Sequence, residues 1–303
     1  MPATSSSVLI ATLGSVGDMH PFLALGQALR RQGHAVRFLA SPAHADRVQA
    51  CGLHFVPLGT RASFEAVADD PALWDPRTAM TVFWRGLRNS LQALPEAALA
   101  LPAGAPASLL VHPLLLPAAA LARARRPGLE VVAAWLAPHN LRSCADPLMV
   151  GPLHIPPWVP MAWRRALWRR IDRRYVDPVA LPELNAARQA VGLPPVAHFL
   201  PHLGTVPDRS VTLFPSWYAA TAPDWPQPLL RGSFPLFDPD ADASLPAAVQ
   251  AFLAAGPAPV VLTLGTFQRH AGPVLAQVVA AARALGRRTL VLAADRAQLP
   301  LPD

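Results

Sequence analysis

Lysine is missing from this 303-residue sequence, and all 26 of its basic residues are arginine. Without lysine the chain cannot form a phosphate-binding loop of the lysine-dependent type, and it cannot use a lysine Schiff base in catalysis. Acidic residues number only 19, so the formal net charge is +7. A positive charge of this size favours anionic partners such as phosphates, nucleic acid or a membrane surface.

Cysteine and long apolar runs are also scarce. Cys51 and Cys144 are far apart and the ten histidines do not cluster with them at zinc spacing, so we expect reduced thiols and no bound metal. The best candidate for a membrane span, residues 107–122, is interrupted by a histidine and two prolines, which argues against one. No basic segment precedes the first apolar run, so we expect no secretory signal and a cytoplasmic location.

Short apolar runs alternate with helical segments over residues 1–236. Residues 8–13 and 35–40 are predicted strands, and the helix between them ends at Gly33, a common stop signal. Further strands are predicted at 54–58, 108–112, 130–135 and 210–214, and further helices at 43–51, 80–99, 116–125, 161–175 and 182–191. Alternation of this kind predicts an α/β domain with a doubly wound sheet.

A second domain is predicted to follow. Residues 237–245 are rich in Asp and Pro and poor in apolar residues, which is typical of a linker. After it come a helix at 247–255, a buried strand at 259–265, a helix at 272–285 and a strand at 288–293. The predicted domains are therefore 1–236 and 246–303. Two strands cannot close a doubly wound sheet, so we expect the second domain to need roughly 100–150 further residues.

Five segments carry a resemblance to a known family. The first, ATLGSVGDMHPFLALGQALRRQGHAV at 11–36, combines a strand, a glycine-containing loop with an acidic residue, a proline and an apolar helix. The others, in order, are CGLHFVPL at 51–58, LNAAR with VGLPP within 184–195, DWP with GSFP within 224–235, and VVLTLGT at 260–266. Together they resemble bacterial glycosyltransferases of the GT-B architecture, which include antibiotic aglycone and sterol glycosyltransferases.

The resemblance implies a Rossmann-like N-terminal domain that binds the acceptor and a second Rossmann-like domain that binds the nucleotide sugar. It implies inverting transfer of a hexose from a UDP- or dTDP-sugar to a hydroxyl of an apolar small molecule or lipid, without a bound metal or other cofactor. The family's His-Gly-Gly-type donor-binding segment does not occur in this sequence. One alternative is therefore a non-catalytic fragment that binds an apolar ligand or partner. A nicotinamide dehydrogenase would share the α/β pattern, but the GxGxxG fingerprint is lacking.

Asp18 follows the first predicted strand, at the sheet edge where α/β proteins bind ligands. It matches the catalytic acidic residue of the antibiotic glycosyltransferases, so the resemblance implies that Asp18 is the general base. A carboxyl group with a pKa near 4 is ionised at neutral pH and can accept a proton. The residues alone favour equally an N-cap role for Asp18, on a helix that begins at Met19. His20 is a second candidate for the base or its partner, with an exposed first-turn position as the alternative.

Two turns contain the residues expected to bind the donor. Glycine lets the backbone of the first turn approach a ligand closely, and amides at the start of a helix suit a diphosphate. An arginine can add a bidentate contact to phosphate oxygens. An ordinary turn or a solvated surface remains the alternative for the second turn. The candidate donor-binding residues are Gly14, Ser15, Gly17, Gly265, Thr266 and Arg269.

Three polar residues follow other predicted strands and are candidates for binding the acceptor. His112 follows the strand at 108–112, and His139 and Asn140 come shortly after the strand at 130–135. Because the carboxyl ends of parallel strands meet at one edge, these side chains can face a common cleft. A place in the core or in a turn is the alternative for both histidines.

Residues 161–175 form a predicted cationic amphipathic helix with six arginines and one aspartate. Trp163, Leu167 and Ile171 recur at four-residue intervals along it. One interpretation is peripheral contact with an anionic membrane surface, at the inner face of the membrane. The other is a surface helix that packs this apolar stripe on the core. Nucleic-acid binding is less favoured, because no recognition motif accompanies the charge.

Overall fold

The computed structural model describes residues 6–145, 149–150, 153–156, 158–239, 243–266 and 272–293. The chain divides into two compact units, the larger comprising residues 1–14 and 18–236 and the smaller comprising residues 15–17 and 237–303. The candidate Arg269 and residues 240–242 of the predicted linker lie outside the described residues. Within the described part of the chain, no helix combines the length and apolar character needed to cross a lipid bilayer.

The regular elements alternate between strands and helices as the sequence predicts. The strands are β1 (Ser7–Ala11), β2 (Ala35–Ala40), β3 (His54–Pro57), β4 (Ala107–Val111), β5 (Glu130–Trp135), β6 (Met149–Val150), β7 (Leu153–His154), β8 (Arg209–Thr212), β9 (Leu229–Arg231), β10 (Val260–Thr263) and β11 (Thr289–Leu292). The helices are α1 (Val16–Arg31), α2 (Ala45–Ala50), α3 (Arg61–Ala68), α4 (Ala79–Leu87), α5 (Ser90–Leu99), α6 (Leu116–Arg125), α7 (Met161–Ile171), α8 (Asp177–Ala190), α9 (Phe199–Leu203), α10 (Ala247–Ala254) and α11 (Gly272–Ala284).

The larger unit is built on a seven-stranded parallel sheet in the order β3-β2-β1-β4-β5-β8-β9. The chain winds outward from β1 to β3 and then returns to the other side of β1 with β4. Ligands of such sheets bind outside the carboxyl ends of the strands, where the winding direction changes. Ala11 of β1 pairs with Val111 of β4 at that point, and the backbone N–H of His112 donates to Ala11 O at 2.9 Å. The residues after β1 and β4 therefore share one edge of the sheet.

The core lies where β1, β4 and β5 meet α5 and α6. All five residues of β1 are buried, as are the first seven residues of α6. Alanine fills four of those seven α6 positions, so the helix can approach α5 and the sheet closely. The prediction of a doubly wound α/β fold is confirmed.

Several boundaries differ from the predictions for local reasons. The helical segment predicted at 80–99 is two helices, with Asn89 at the break between α4 and α5. α8 begins at Asp177 instead of residue 182, because Pro178 fits the first turn of a helix and Pro182 is tolerated inside it. The Pro-rich stretch 223–239 contains the short edge strand β9.

The smaller unit contains α10, β10, α11 and β11 within the described residues. β10 and β11 pair in parallel, with Val260 opposite Thr289, as expected for a strand–helix–strand unit. The expectation that β10 is buried is wrong for the residues described, because Val260 and Val261 are both exposed. A sheet of two strands with α11 packed on it covers only part of each strand.

Candidate active site

Asp18 lies in the first turn of α1, directly after the loop that follows β1. Because α1 begins at Val16, Asp18 is the third helical residue, and the expectation that it caps a helix starting at Met19 is wrong. Its half-buried carboxylate lies against Gly14, where an added Cβ would collide with Asp18 Oδ2. Gly14 also has φ +99°, a conformation that favours glycine. The loop therefore requires glycine at this position to leave room for the carboxylate.

His44, at the end of the short helical turn after β2, contacts the backbone of this loop at Gly14. Its Nε2 lies 3.2 Å from the carbonyl oxygen of Gly14, and since a carbonyl only accepts, Nε2 is the donor. The ring is buried and stands edge-on to Phe64, with the centroids 5.1 Å apart. Burial lowers the pKa of His44, although its hydrogen bond to Gly14 and the charge of Asp18 act in the opposite direction. His44 is thus a neutral donor that fixes the position of Gly14.

His112 occupies the carboxyl end of β4, next to the loop that follows β1. It is 4% exposed, and its Nδ1 accepts from the backbone N–H of Leu114 at 3.2 Å. An amide nitrogen only donates, so the neutral ring has its proton on Nε2. Burial lowers the pKa of His112 to about 4, with the charge of Asp18 raising it and His139 lowering it. His112 is therefore a hydrogen-bond donor within the electrostatic reach of Asp18.

The other three candidates differ in their surroundings. His20 lies two residues beyond Asp18 on α1, which turns it about 200° around the helix axis, so the two side chains leave different faces. His139 is exposed, on the helical turn Pro138–Leu141 after β5. Asn140 is half-buried on the same turn, and its Oδ1 accepts from the backbone N–H of Ala137 at 3.1 Å. Both His139 and Asn140 line a cavity.

This cavity has a volume of about 590 Å³ and lies inside the larger unit, beside the carboxyl ends of β4 and β5. Pro113 and Leu114, which follow His112 directly, form part of its wall. Most of the remaining wall is apolar or aromatic, with a few polar groups. The other lining residues are Trp135, Pro138, His139, Asn140, Leu141, Arg142, Ser143, Trp168, Leu200, Pro201, Leu203, Gly204, Asp224 and Pro226.

Arg142 of the cavity wall forms an ion pair with an aspartate that is buried behind the wall. Arg142 Nη2 lies 2.6 Å from Asp172 Oδ2, and the Asp172 side chain is 0% exposed. The Arg142 guanidinium also lies over the ring of Trp168, 4.5 Å from its centroid. Burial raises the pKa of Asp172, while its contact with Arg142 lowers it. The indole N–H groups of Trp135 and Trp168 are buried and have no hydrogen-bond partner among the described residues.

Asp224 fixes the far side of the cavity. Its Oδ1 accepts from the Ser143 hydroxyl and its Oδ2 from the backbone N–H of Cys144, each at 2.6 Å. Buried Arg164 of α7 donates to the carbonyl oxygens of Cys144 and Ala145 at 3.2 and 3.1 Å. The segment after β5 is thereby tied both to the chain after β8 and to α7.

The candidate donor turn of the smaller unit follows β10. Gly265 and Thr266 are exposed there, and Gly265 has φ +79°. The backbone N–H of Gly265 donates to Thr263 Oγ1 at 3.4 Å. The turn is thus shaped by glycine and stands at the carboxyl end of a strand, ahead of α11. In the described residues, no group of three or more His, Cys, Asp or Glu side chains is placed to hold a metal ion.

Comparison with known proteins identifies the family. Residues 8–105 match the Glycosyltransferase family 28 N-terminal domain. Glycosyltransferase GtfE of Amycolatopsis orientalis is 34% identical over 311 residues, which cover 98% of this chain and 69% of GtfE. The chain belongs to this family of bacterial glycosyltransferases. The vancomycin aglycone glucosyltransferase of the same organism is 32% identical over 98% of this chain and 69% of its own length.

Solved structures agree with the GT-B fold. The glycosyltransferase SsfS6 of Streptomyces sp. SF2575, complexed with thymidine diphosphate, matches with a TM-score of 0.54 at 18% identity. The match covers 98% of this chain and 70% of SsfS6. Compared with GtfE and the vancomycin aglycone glucosyltransferase, this glycosyltransferase spans about 69% of their length.

Sequence reasoning missed several residues of the glycosyltransferase cavity. Trp135, Arg142, Ser143, Trp168 and Asp224 line the cavity but are not among the candidate site residues predicted from the sequence. Asp224 lies in one of the segments that carry the family resemblance, which was a usable signal. The local sequence around Arg142 and Trp168 gave no such signal, because the partners of these residues are distant in sequence.

Proposed function

We propose that this glycosyltransferase transfers a hexose from a UDP- or dTDP-sugar to a hydroxyl of an apolar acceptor, with inversion, and that Asp18 is the general base. The observation that carries the proposal is the position of the Asp18 carboxylate. It lies against Gly14 at the switch point of the sheet, and its charge raises the pKa of His112. The names of relatives support it, since one acts on the vancomycin aglycone and SsfS6 binds thymidine diphosphate.

The acceptor binds in the cavity of the larger unit. Its volume of about 590 Å³ is within the range of roughly 300–1,000 Å³ that small-molecule sites occupy. Apolar and aromatic walls suit a polycyclic or phenolic aglycone. His139 and Asn140 contact the acceptor from the turn after β5.

The reaction is a single displacement at the anomeric carbon. The acceptor oxygen attacks that carbon while Asp18 takes the hydroxyl proton, so the new carbon–oxygen bond forms as the old bond to the diphosphate breaks. The electron pair of the broken bond leaves with the diphosphate. Attack from the face opposite the leaving group inverts the configuration, and the positioned base accounts for about 10²–10⁴-fold of the rate.

His112 assists as a donor and not as a base. Its Nδ1 is occupied by the Leu114 amide and its Nε2 already has a proton, so neither nitrogen can accept the proton of the acceptor. The Nε2–H can donate to the acceptor oxygen and orient its hydroxyl toward Asp18. We do not assign His20 as the base or its partner, because its side chain leaves a different face of α1 from that of Asp18.

The diphosphate is bound by backbone amides, hydroxyls and a guanidinium, all of which suit an anion. The smaller unit belongs to the domain that binds the nucleotide sugar, and the linker is residues 237–245. The donor-binding residues that we propose are Gly14, Ser15, Gly17, Gly265, Thr266 and Arg269.

Transfer assays test the proposal. The chain is incubated with UDP- or dTDP-glucose and a panel of phenolic aglycones, and the glucoside is measured by mass spectrometry. Asp18→Asn is expected to lower the transfer rate about 10²–10⁴-fold and to leave aglycone binding intact. Asp46→Asn, at an exposed aspartate of α2, is the matched control and is expected to keep full activity. Full transfer by Asp18→Asn would remove Asp18 as the base.

A second candidate function is binding of an apolar ligand without transfer. The observation that favours it is that the cavity lies wholly within the larger unit. Aglycone binding that Trp135→Ala weakens, together with no glucoside from any nucleotide sugar, would support this function over transfer.

A further inference from the structure

α7 and the turn before it carry an exposed cationic and aromatic face. Five arginines of residues 161–176 are exposed, and the two tryptophans that lead into and begin this segment are among the most exposed large side chains of the chain. We call this the Arg-Trp face. It consists of Trp158, Trp163, Arg165, Leu167, Arg169, Arg170, Arg173 and Arg174.

The sixth arginine anchors the face to the body of the larger unit. Arg164 is buried, and its Nε donates to the carbonyl oxygen of Val159 at 2.8 Å. Its Nη1 donates to the carbonyl oxygens of Cys144 and Ala145. The turn that carries Trp158 is therefore fastened to α7, and the orientation of the helix is fixed with the other arginines outward.

Within the described residues, no acidic side chain forms an ion pair with the exposed arginines of the face. Asp172 is the only acidic residue between residues 158 and 176, and it is buried against Arg142. Five exposed positive charges on about three helical turns attract a polyanionic surface.

The two tryptophans of the face are exposed and do not pack on the core. Trp163 is 72% exposed, Trp158 is 79% exposed, and Leu167 stands one helical turn beyond Trp163 on the same side of α7. The interpretation that the stripe packs on the core is therefore wrong for Trp163, whereas Leu167 is 37% exposed. Arg170, three residues beyond Leu167, borders this stripe, so apolar and cationic groups share one surface.

The opposite side of α7 faces the cavity. Trp168 is half-buried, lines the cavity and stacks under the Arg142 guanidinium. One helix thus separates an apolar cavity from an exposed cationic surface. This arrangement suits a protein that takes an apolar molecule from an interface.

We propose that the Arg-Trp face docks on an anionic lipid bilayer. Charge complementarity selects anionic headgroups, and tryptophan beside arginine matches the chemistry of the membrane interface, where indole rings sit at headgroup level. A nucleic-acid duplex would also attract the arginines, but its bases are stacked on one another and leave exposed Trp163 and Leu167 without an apolar partner. Delivery of the acceptor from the bilayer to the cavity rests on the proposed function, whereas docking itself does not.

Vesicle co-sedimentation tests the docking. The chain is mixed with vesicles of phosphatidylcholine alone, or with about 30% phosphatidylserine, at about 0.05 M and about 0.5 M NaCl. We expect binding only to the anionic vesicles, and loss of most of it at the higher salt. Arg169→Gln with Arg170→Gln is expected to weaken binding about 25-fold, from about five-fold for each arginine near an anionic surface.

Matched variants separate this face from the overall charge of the protein. Arg31→Gln with Arg125→Gln removes two exposed arginines outside α7 and is expected to leave vesicle binding within about two-fold. Trp163→Ala is expected to weaken binding, and Trp217→Ala, at a tryptophan 78% exposed elsewhere, is not. Trp158→Ala is a second variant of the apolar part if Trp163→Ala fails to fold.

Three results would overturn the proposal. The first is that the wild-type chain does not bind anionic vesicles at low salt. The second is that the two double-arginine variants weaken vesicle binding equally. The third is that the chain binds duplex RNA more tightly than vesicles and that Trp163→Ala leaves its RNA binding unchanged. Because the assay contains neither donor nor acceptor, it is independent of the proposed transfer reaction. Glucoside formation from a water-soluble aglycone reports that reaction separately.

Discussion

The carboxylate of Asp18 occupies the space where a side chain at Gly14 would stand. Gly14→Ala is therefore expected to displace Asp18, and displacements of about 1 Å in an active site can cost about 10²-fold in rate. The positive φ of Gly14 adds roughly 1–2 kcal/mol of strain to the folded state. Transfer assays and urea unfolding of the variant measure the two effects.

Gly33→Ala is the matched control for Gly14→Ala. Gly33 has φ +89°, and an added Cβ there meets nothing within 4 Å. The control should lose about the same stability, roughly 1–2 kcal/mol, and keep its transfer activity. Equal loss of activity in both variants would mean that strain, and not displacement of Asp18, explains the effect at Gly14.

His44 positions the same loop through its hydrogen bond to Gly14. His44→Ala removes a donor worth about 0.5–1.5 kcal/mol, so we expect a 2- to 10-fold lower transfer rate with little change in KM for the acceptor. His44→Gln has an amide N–H in reach of the same carbonyl and is expected to recover part of the rate. A rate for His44→Ala equal to that of wild type would contradict this positioning role.

Elements made of local patterns could be predicted well from the sequence. The bounds of β2, β5 and α6 coincide with the predictions, because each is a continuous apolar or helical run with clear stop signals. The parallel pairing of the strands follows from the alternation of strands and helices, whereas the order of the strands was not predicted. The places of Asp18 and His112, just after β1 and β4, could also be predicted, since residues that follow parallel strands lie at the ligand-binding edge, and their roles stay predictions.

Features that depend on distant partners could not be predicted. Nothing in the local sequence of Arg142 indicates that it pairs with Asp172, which comes thirty positions later, directly after α7. The exposure of Trp163 and Leu167 was equally hidden, because a four-residue repeat looks the same whether the stripe meets the core or faces outward. Tertiary placement decides both, and periodicity carries no information about it.

Acid is expected to destabilise the larger unit through His112. Its pKa is about 4 when folded and 6.5 when exposed, so its stabilising effect is complete above about pH 6.5 and is lost as pH falls toward 4. The loss at about pH 5 amounts to about 2 kcal/mol. Urea unfolding at about pH 7.5 and about pH 5 measures it.

Two variants check the assignment of this pH dependence. His112→Asn offers an oxygen to the Leu114 amide and does not titrate, so it should shrink the difference between the two pH values by about 2 kcal/mol. His202, whose pKa burial and Arg188 lower to about 4, contributes in the same direction, and His202→Gln should reduce the difference independently. An unchanged difference in His112→Asn would show that His112 is not responsible.

Removal of the Arg142 guanidinium is expected to cost about 3–5 kcal/mol of stability at neutral pH, because it leaves the Asp172 carboxylate buried without a cation. Burial already raises the pKa of Asp172, so Arg142→Gln should be least destabilised in acid and should lose stability as pH rises through the pKa of Asp172. Adding Asp172→Asn removes the stranded charge and should restore much of the loss.

Arg209→Gln, which breaks the exposed pair with Glu130 at 3.1 Å, is the control and should cost less than about 1 kcal/mol. A loss in Arg142→Gln that is small, or the same at every pH, would mean that solvent reaches Asp172 and that the pair does not support the cavity wall.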